Sequence, residues 1–146
     1  MSINSLKEVS RLMKESISLS LPSKPEYVSI ARLTSSAIAN SMGFNIEDIE
    51  DIRLAVGEAC NNAVLHGRNG DSNFNINFTI YEDKFVIEIF DEGKGFEIEK
   101  CPEPDFSNPK ESGLGLFIIE SLMDEVEVIS SPGEGTNVKM IKYLND

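Results

Sequence analysis

A chain of 146 residues, 40% apolar and 26% charged, is long enough to bury one two-layer core without disulfide or metal staples, so a single domain over 1–146 is the expectation. Its 13 basic and 25 acidic residues leave a net charge of −12, which repels nucleic acid and anionic membrane over most of the surface. No window has the apolar length of a membrane span, the opening residues carry no secretion signal, and Cys60 and Cys101 lie far apart, so a soluble cytoplasmic protein with reduced thiols is expected.

In chain order, residues 1–14 read as an N-terminal extension, where Leu6, Val9, Leu12 and Met13 have the spacing of a short amphipathic helix. Ile17, Leu19 and Leu21 alternate with serines, which predicts a half-buried strand over 16–21 that ends at Pro22. Pro25 suits a first helical turn, Val28, Ala31, Leu33 and Ile38 predict the apolar face of the helix that follows, and Gly43 predicts its stop. Asn45 predicts the N-cap of a longer helix running to Gly67, with Ile49, Ile52, Val56, Ala59 and Ala63 as its core stripe. On the second face of that helix Leu54 and Leu65 flank Glu58, which predicts partly apolar surroundings for its carboxylate. Glu47, Asp48, Glu50 and Asp51 solvate the first turns.

Beyond a polar loop, FNINFTIY alternates cleanly and KFVIEIF is almost continuously apolar, which predicts a hairpin turning at Glu82 and Asp83 with its second strand central in the sheet. Residues 97–112 hold Pro102, Pro104 and Pro109 without periodicity and read as a lid. GLGLFIIESLMD predicts a helix opening at two glycines, and EVEVISS and TNVKMIKYL predict closing strands joined by a PGEG turn. This order predicts an α+β two-layer sandwich, a mixed, mostly antiparallel sheet with helices on one face.

Several constellations bear on chemistry. Glu58 and Asn62 lie one turn apart on one helix face, where a carboxylate can accept a proton or orient a hydroxyl and an amide oxygen can bind Mg²⁺. The same pair is also what a surface glutamate and a satisfied asparagine look like. His66 is the only histidine, and its place before Gly67 suits a helix-end dipole partner. Asp91 follows the central strand and precedes Gly93 and Gly95, a pattern that fits either an Asx turn or a carboxylate that accepts the exocyclic amine of adenine. Gly113 and Gly115 sit at a helix start, where they serve as hinge and cap or free backbone N–H groups for phosphates. GEGT is a hairpin turn whose Thr136 hydroxyl can reach a phosphate. With so acidic a chain, phosphate must be held locally by N–H groups and a metal ion, and a protein partner would present a basic face.

Taken together, Glu-x-x-x-Asn, Asp-x-Gly-x-Gly, the proline-rich lid, Gly-x-Gly and Gly-x-Gly-Thr occur in an order that resembles the N, G1, G2 and G3 boxes of the GHKL (Bergerat-fold) ATPases and kinases. Within them PSKPEYVSIARLT, IEDIRLAVGEACNNAVLHG, DEGKGF, SGLGLFIIESLMDEVEV and KYLN make residues 21–144 similar to anti-sigma factor serine-protein kinases of the RsbW/SpoIIAB group, more so to the RsbW branch. The resemblance implies a homodimer that sequesters an RNA polymerase sigma factor and uses Mg-ATP to phosphorylate a serine on a STAS-type anti-sigma factor antagonist. It implies Glu58 as the base or orienting carboxylate, Asn62 as the Mg²⁺ ligand and Asp91 as the adenine anchor. It further implies Gly93 and Gly95 in the adenine pocket, Gly113, Leu114 and Gly115 around the phosphates, and Thr136 completing the site. The sporulation-type kinases carry arginine where this chain has Glu111. Two other readings remain at this stage: a non-catalytic ATP-binding module that sequesters a partner, and a histidine-kinase-like ATPase module.

Overall fold

The computed structural model describes residues 13–66, 72–91, 114–131 and 133–145, and its elements follow the expected order. They are β1 (Glu15–Pro22), a single 3₁₀ turn (Pro25–Tyr27), α1 (Val28–Met42), α2 (Ile46–His66), β2 (Asn73–Ile80), β3 (Lys84–Asp91), α3 (Leu114–Leu122), β4 (Glu125–Ser131) and β5 (Gly135–Tyr143). The strands form one sheet in the order β1-β2-β3-β5-β4, and every pairing is antiparallel. This is the limiting case of the mostly antiparallel sheet expected, with β3 at its centre. The expected 5–13 helix and the 97–112 lid lie outside the described residues, apart from Met13.

Strand alternation divides the sheet into two unlike faces. Phe74, Ile76 and Phe78 of β2, Phe85, Ile87 and Ile89 of β3, and Val138 and Met140 of β5 are buried on one face against the helices. Each such side chain contributes about 2 kcal/mol by leaving water, and the Phe78 and Phe85 rings meet with centroids 5.9 Å apart. The other face carries Ser16, Ser18, Ser20, Asn75, Asn77 and Thr79 toward one edge and Phe90, Ile129, Ile141 and Tyr143 toward the other. β1 is an edge strand, so its expected half-burial is graded along its length: Leu21 is buried, Leu19 is partly covered and Ile17 is exposed.

Helix ends follow from local chemistry. The Asn45 side-chain oxygen accepts the Asp48 N–H at 2.8 Å, as an N-cap does. Gly43, at φ 97°, takes the left-handed position that ends α1. The core stripe of α2 is as expected, with Ile52, Val56, Ala59 and Ala63 buried and Ile49 packed at its margin.

The face of α1 needs one correction. Val28, Ala31 and Ile38 are buried, but Leu33 is 69% exposed. A helix that packs on one side buries positions three and four apart, and Leu33 falls between the rows. Ser35 and Ala39 take its place in the core. Ser35 is tolerated there because its hydroxyl donates to the Arg32 carbonyl at 2.8 Å.

Candidate functional site

Connectivity brings four of the expected site residues, Asn62, Asp91, Gly115 and Thr136, toward one end of the sheet. Asp91 ends β3 and pairs in register with Thr136 at the start of β5. At the same end β2 begins, following the C-terminal end of α2, and α3 starts against α2 there. The opposite end of the sheet holds the C-terminal turn of α3, where the Asp124 N–H donates to the Ile141 carbonyl at 2.9 Å.

Asn62 and Gly115 meet where α2 and α3 approach. A Cβ on Gly115 would lie 3.0 Å from Asn62 Nδ2 and 3.3 Å from its Oδ1, so the absence of a side chain is what lets α3 close on the amide. Glu58, one turn back on α2, is half-buried. Its flanking leucines do not enclose it: Leu54 is 52% and Leu65 62% exposed, which corrects the expectation of apolar surroundings from those two residues. Both project outward because the opposite side of α2 is taken up by the core stripe.

Asp91 is half-buried, and Thr136 is 8% exposed beside it. The Thr136 and Ser130 hydroxyls lie 2.7 Å apart, and the Ser130 hydroxyl also donates to the Gly135 carbonyl at 3.3 Å. Gly135 has φ 84°, a conformation that orients the Gly-Thr step and that a side chain would strain. A cleft of about 190 Å³ lies at this end of the sheet, lined by Phe90, Asp91, Ile129, Glu134, Gly135, Thr136 and Asn137; Phe90, Ile129 and Asn137 belong to the face away from the helices, and Asn62 and Gly115 do not line it. Leu114 is the first residue of α3. Gly93, Gly95 and Gly113 lie outside the described residues, as does the His66 side chain.

Two features escaped the motif reading. Ser130 completes the Thr136 hydroxyl pair, and the signal for it is the register of the PGEG hairpin, which sets Ser130 opposite Thr136. Gly57 is the second: its missing Cβ leaves room for the Arg32 guanidinium of α1, whose Nε would lie 2.5 Å from such an atom. Nearby Cys60 is fully buried, and burial pushes its thiol up to about 12, against a smaller opposing pull from Arg32. Cys60 is therefore a packing residue and not a nucleophile.

The donor set suits a magnesium nucleotide. The Asn62 amide oxygen is a hard ligand beside a helix start, where N–H groups favour anionic oxygens. Among the described residues no three His, Cys, Asp or Glu side chains converge on a point.

An antiparallel sheet backed on one face by three helices, with Asn62 closed against Gly115 near the start of α3, is the arrangement expected of an ATP-binding domain of the GHKL type, and the family match gives the chain that class. Residues 21–142 match the family model for the histidine kinase-like ATPase domain, and the chain belongs to that family, in its RsbW branch. It is 44% identical to the serine-protein kinase RsbW of Oceanobacillus iheyensis over 138 residues, 88% of this chain and 86% of that one. The namesake from Bacillus licheniformis is 42% identical over 88% of this chain and 86% of its own, and that from Listeria monocytogenes 41% over 92% and 90%.

Solved structures agree on the fold. The RsbU and RsbW domains of a Mycobacterium tuberculosis protein superpose with TM-score 0.69 at 18% identity, covering 91% of this chain and 34% of that longer one. The SiaB–SiaC complex from Pseudomonas aeruginosa contains a chain that superposes with TM-score 0.60 at 10% identity, covering 99% of each.

Proposed function

We infer that the protein is a serine-protein kinase that phosphorylates a STAS-type antagonist with Mg-ATP and sequesters a sigma factor. The observation that carries this reading is identity of 40–44% to serine-protein kinases over nearly nine-tenths of the chain. The contact between Asn62 and Gly115 supports it, because the two boxes that should face the nucleotide phosphates come together in space.

Bound Mg-ATP supplies the transferable phosphoryl group and, through the metal, neutralises part of its charge. Asn62 would hold the metal through its amide oxygen. Backbone N–H groups of Gly113, Leu114 and Gly115 receive the phosphate oxygens, and Asp91 accepts the exocyclic amine of adenine. Gly93 and Gly95, by the family resemblance, would shape the adenine pocket, and Thr136 would complete that side. Glu58 orients the substrate serine and takes its proton as Oγ bonds to the γ-phosphorus and the bond to the ADP oxygen breaks. Little else is required, since phosphoryl transfer depends mainly on positioning and electrostatics.

The acidic surface suits a partner with a basic face, such as a sigma factor on the way to nucleic acid. A homodimer is the expected assembly, and the uncovered sheet face with Phe90, Ile129, Ile141 and Tyr143 offers it an apolar surface.

The test is transfer of label from [γ-³²P]ATP to a purified STAS-domain protein. Transfer to serine is expected, with Glu58→Gln lowering its rate at least about 100-fold while leaving ATP binding intact. Absence of phosphoserine with a nucleotide-binding wild-type protein would reduce it to a sequestering module. Label recovered on histidine would instead point to a histidine-kinase-like module.

A further inference from the structure

Lys142 is a buried charge at the far end of the sheet from the nucleotide site. It sits on the helix-facing side of β5, 8% exposed. Its ammonium donates to the Leu122 carbonyl in the last turn of α3 at 2.6 Å. It also lies 3.7 Å from Asp51 and 3.9 Å from Asp48, both in the first turns of α2. A cation is well placed at a helix C-terminus, where carbonyls lack intrahelical partners, and beside acidic residues that themselves favour a helix N-terminus.

Two further bonds hold the same corner. The Asp124 N–H donates to the Ile141 carbonyl at 2.9 Å, and the Tyr143 N–H donates to the Asp124 carboxylate at 2.7 Å. These fasten α3 to β5 only. Among the contacts described at this corner, Lys142 alone reaches α2 as well.

The geometry has a functional reading. α2 carries Glu58 and Asn62, α3 carries Leu114 and Gly115, and the two helices run antiparallel, since Asn62 meets the start of α3 while Asp48 and Asp51 share a cation with its end. The helix pair is thus mounted at both ends. At the site end the fit is tight, with 3.0 Å between Asn62 and the place a Gly115 Cβ would take. A shift of α3 along its axis by a few tenths of an ångström at the mount is carried to that contact, because a helix transmits axial displacement as a rigid rod.

We propose that Lys142 is a positioning residue for phosphoryl transfer: by joining the end of α3 to the start of α2 it sets the axial register that brings Gly115 against Asn62. Burial by itself does not explain a lysine here. A hydrophobic side chain of similar volume at a buried ion pair is often neutral or stabilising, so stability alone does not call for the charge. Register does, because a methionine would fill the space without fixing where Leu122 stands relative to Asp48 and Asp51.

The inference rests on the kinase reading, and its test separates the two. Lys142→Met and Lys142→Arg are compared with the wild-type chain for thermal unfolding, for kcat and KM in transfer from Mg-ATP to a STAS-domain protein, and for amide exchange over residues 118–122, whose N–H groups have intrahelical acceptors. The expected result is Lys142→Met with unchanged or raised Tm, kcat lower by about tenfold or more, KM for ATP within about threefold, and faster exchange confined to 118–122. Lys142→Arg, which keeps a donor and a charge, should recover part of kcat.

Equal kcat in wild type and Lys142→Met overturns the proposal. So does a fall in kcat that only tracks a lower Tm and faster exchange throughout, which would make Lys142 a stability residue. A wild-type chain that transfers no phosphate sinks the kinase reading instead; the positioning claim is then decided by exchange at 118–122, faster in Lys142→Met if it holds and unchanged if it fails.

Discussion

Gly115 shows how one missing methyl can serve a site and cost little elsewhere. Alanine at a helical position is favoured over glycine by up to about 1 kcal/mol, so Gly115→Ala is expected to leave Tm unchanged or raise it. The new Cβ would press on the Asn62 amide at 3.0 Å, and the expected outcome is a loss of about tenfold in ATP affinity by calorimetry, or about 1.4 kcal/mol. Affinity and stability moving together would remove the phosphate-facing role from this position. Cys60 gives a second residue-level expectation. Its thiol is raised from 9.0 to about 12 in the folded state, so the folded chain keeps a proton that the unfolded chain releases. That contribution is fully present below pH 9 and declines toward pH 12 by about 1.4 kcal/mol per pH unit. Urea unfolding of wild type and Cys60→Ala across this range should show the wild type losing the steeper share, and parallel curves would contradict the assignment.

The elements were largely legible because each is bounded by residues with one conformational use. Asn45 accepts the Asp48 N–H, Gly43 takes a positive φ, and the alternation of FNINFTIY matches the burial of Phe74, Ile76 and Phe78. The cap is worth about 1 kcal/mol. Asn45→Ala should therefore lower the urea midpoint accordingly, while Asn45→Asp, which keeps the acceptor, should not. Leu33 was misread because periodicity identifies a helix more firmly than it identifies which of its apolar residues face the core. Lys142 was invisible for another reason. A lysine near the end of a strand looks like solvent-facing charge, and only the arrival of Asp48, Asp51 and Leu122 from other elements makes it an interior group. Glu58 lies between these cases. Its place on the helix was readable, but the outward projection of Leu54 and Leu65 depends on which side of α2 the sheet occupies.

At the scale of the molecule, the two-faced sheet separates tasks. The helix-covered face builds the core and carries the proposed nucleotide site, and the other face is the one proposed for the homodimer. Ile129, 59% exposed beside Phe90 and Asn137, is the strongest apolar point on that face. Sedimentation equilibrium should find a dimer for the wild type and a weakened one for Ile129→Lys with an unchanged circular dichroism spectrum. A wild-type monomer would remove the homodimer from the functional reading.

The place of β5 in the sheet also governs when the protein can begin to work. This strand inserts between β3 and β4 but is made after both. A nascent chain that has not yet produced it holds β3 with one edge unpaired, and the inward row Phe85, Ile87 and Ile89 lacks its cover from Val138 and Met140. Such an edge is a template for association with other chains. Thr136 and Lys142 arrive on the same strand, one beside Asp91 at the end of β3 and the other at the opposite end of the sheet. Insertion of a single late strand therefore pairs the open edge of β3, joins β4 to the sheet and brings in Thr136 and Lys142 in one event. Ribosome-bound intermediates that stop short of it should need chaperone protection and should retain no ATP.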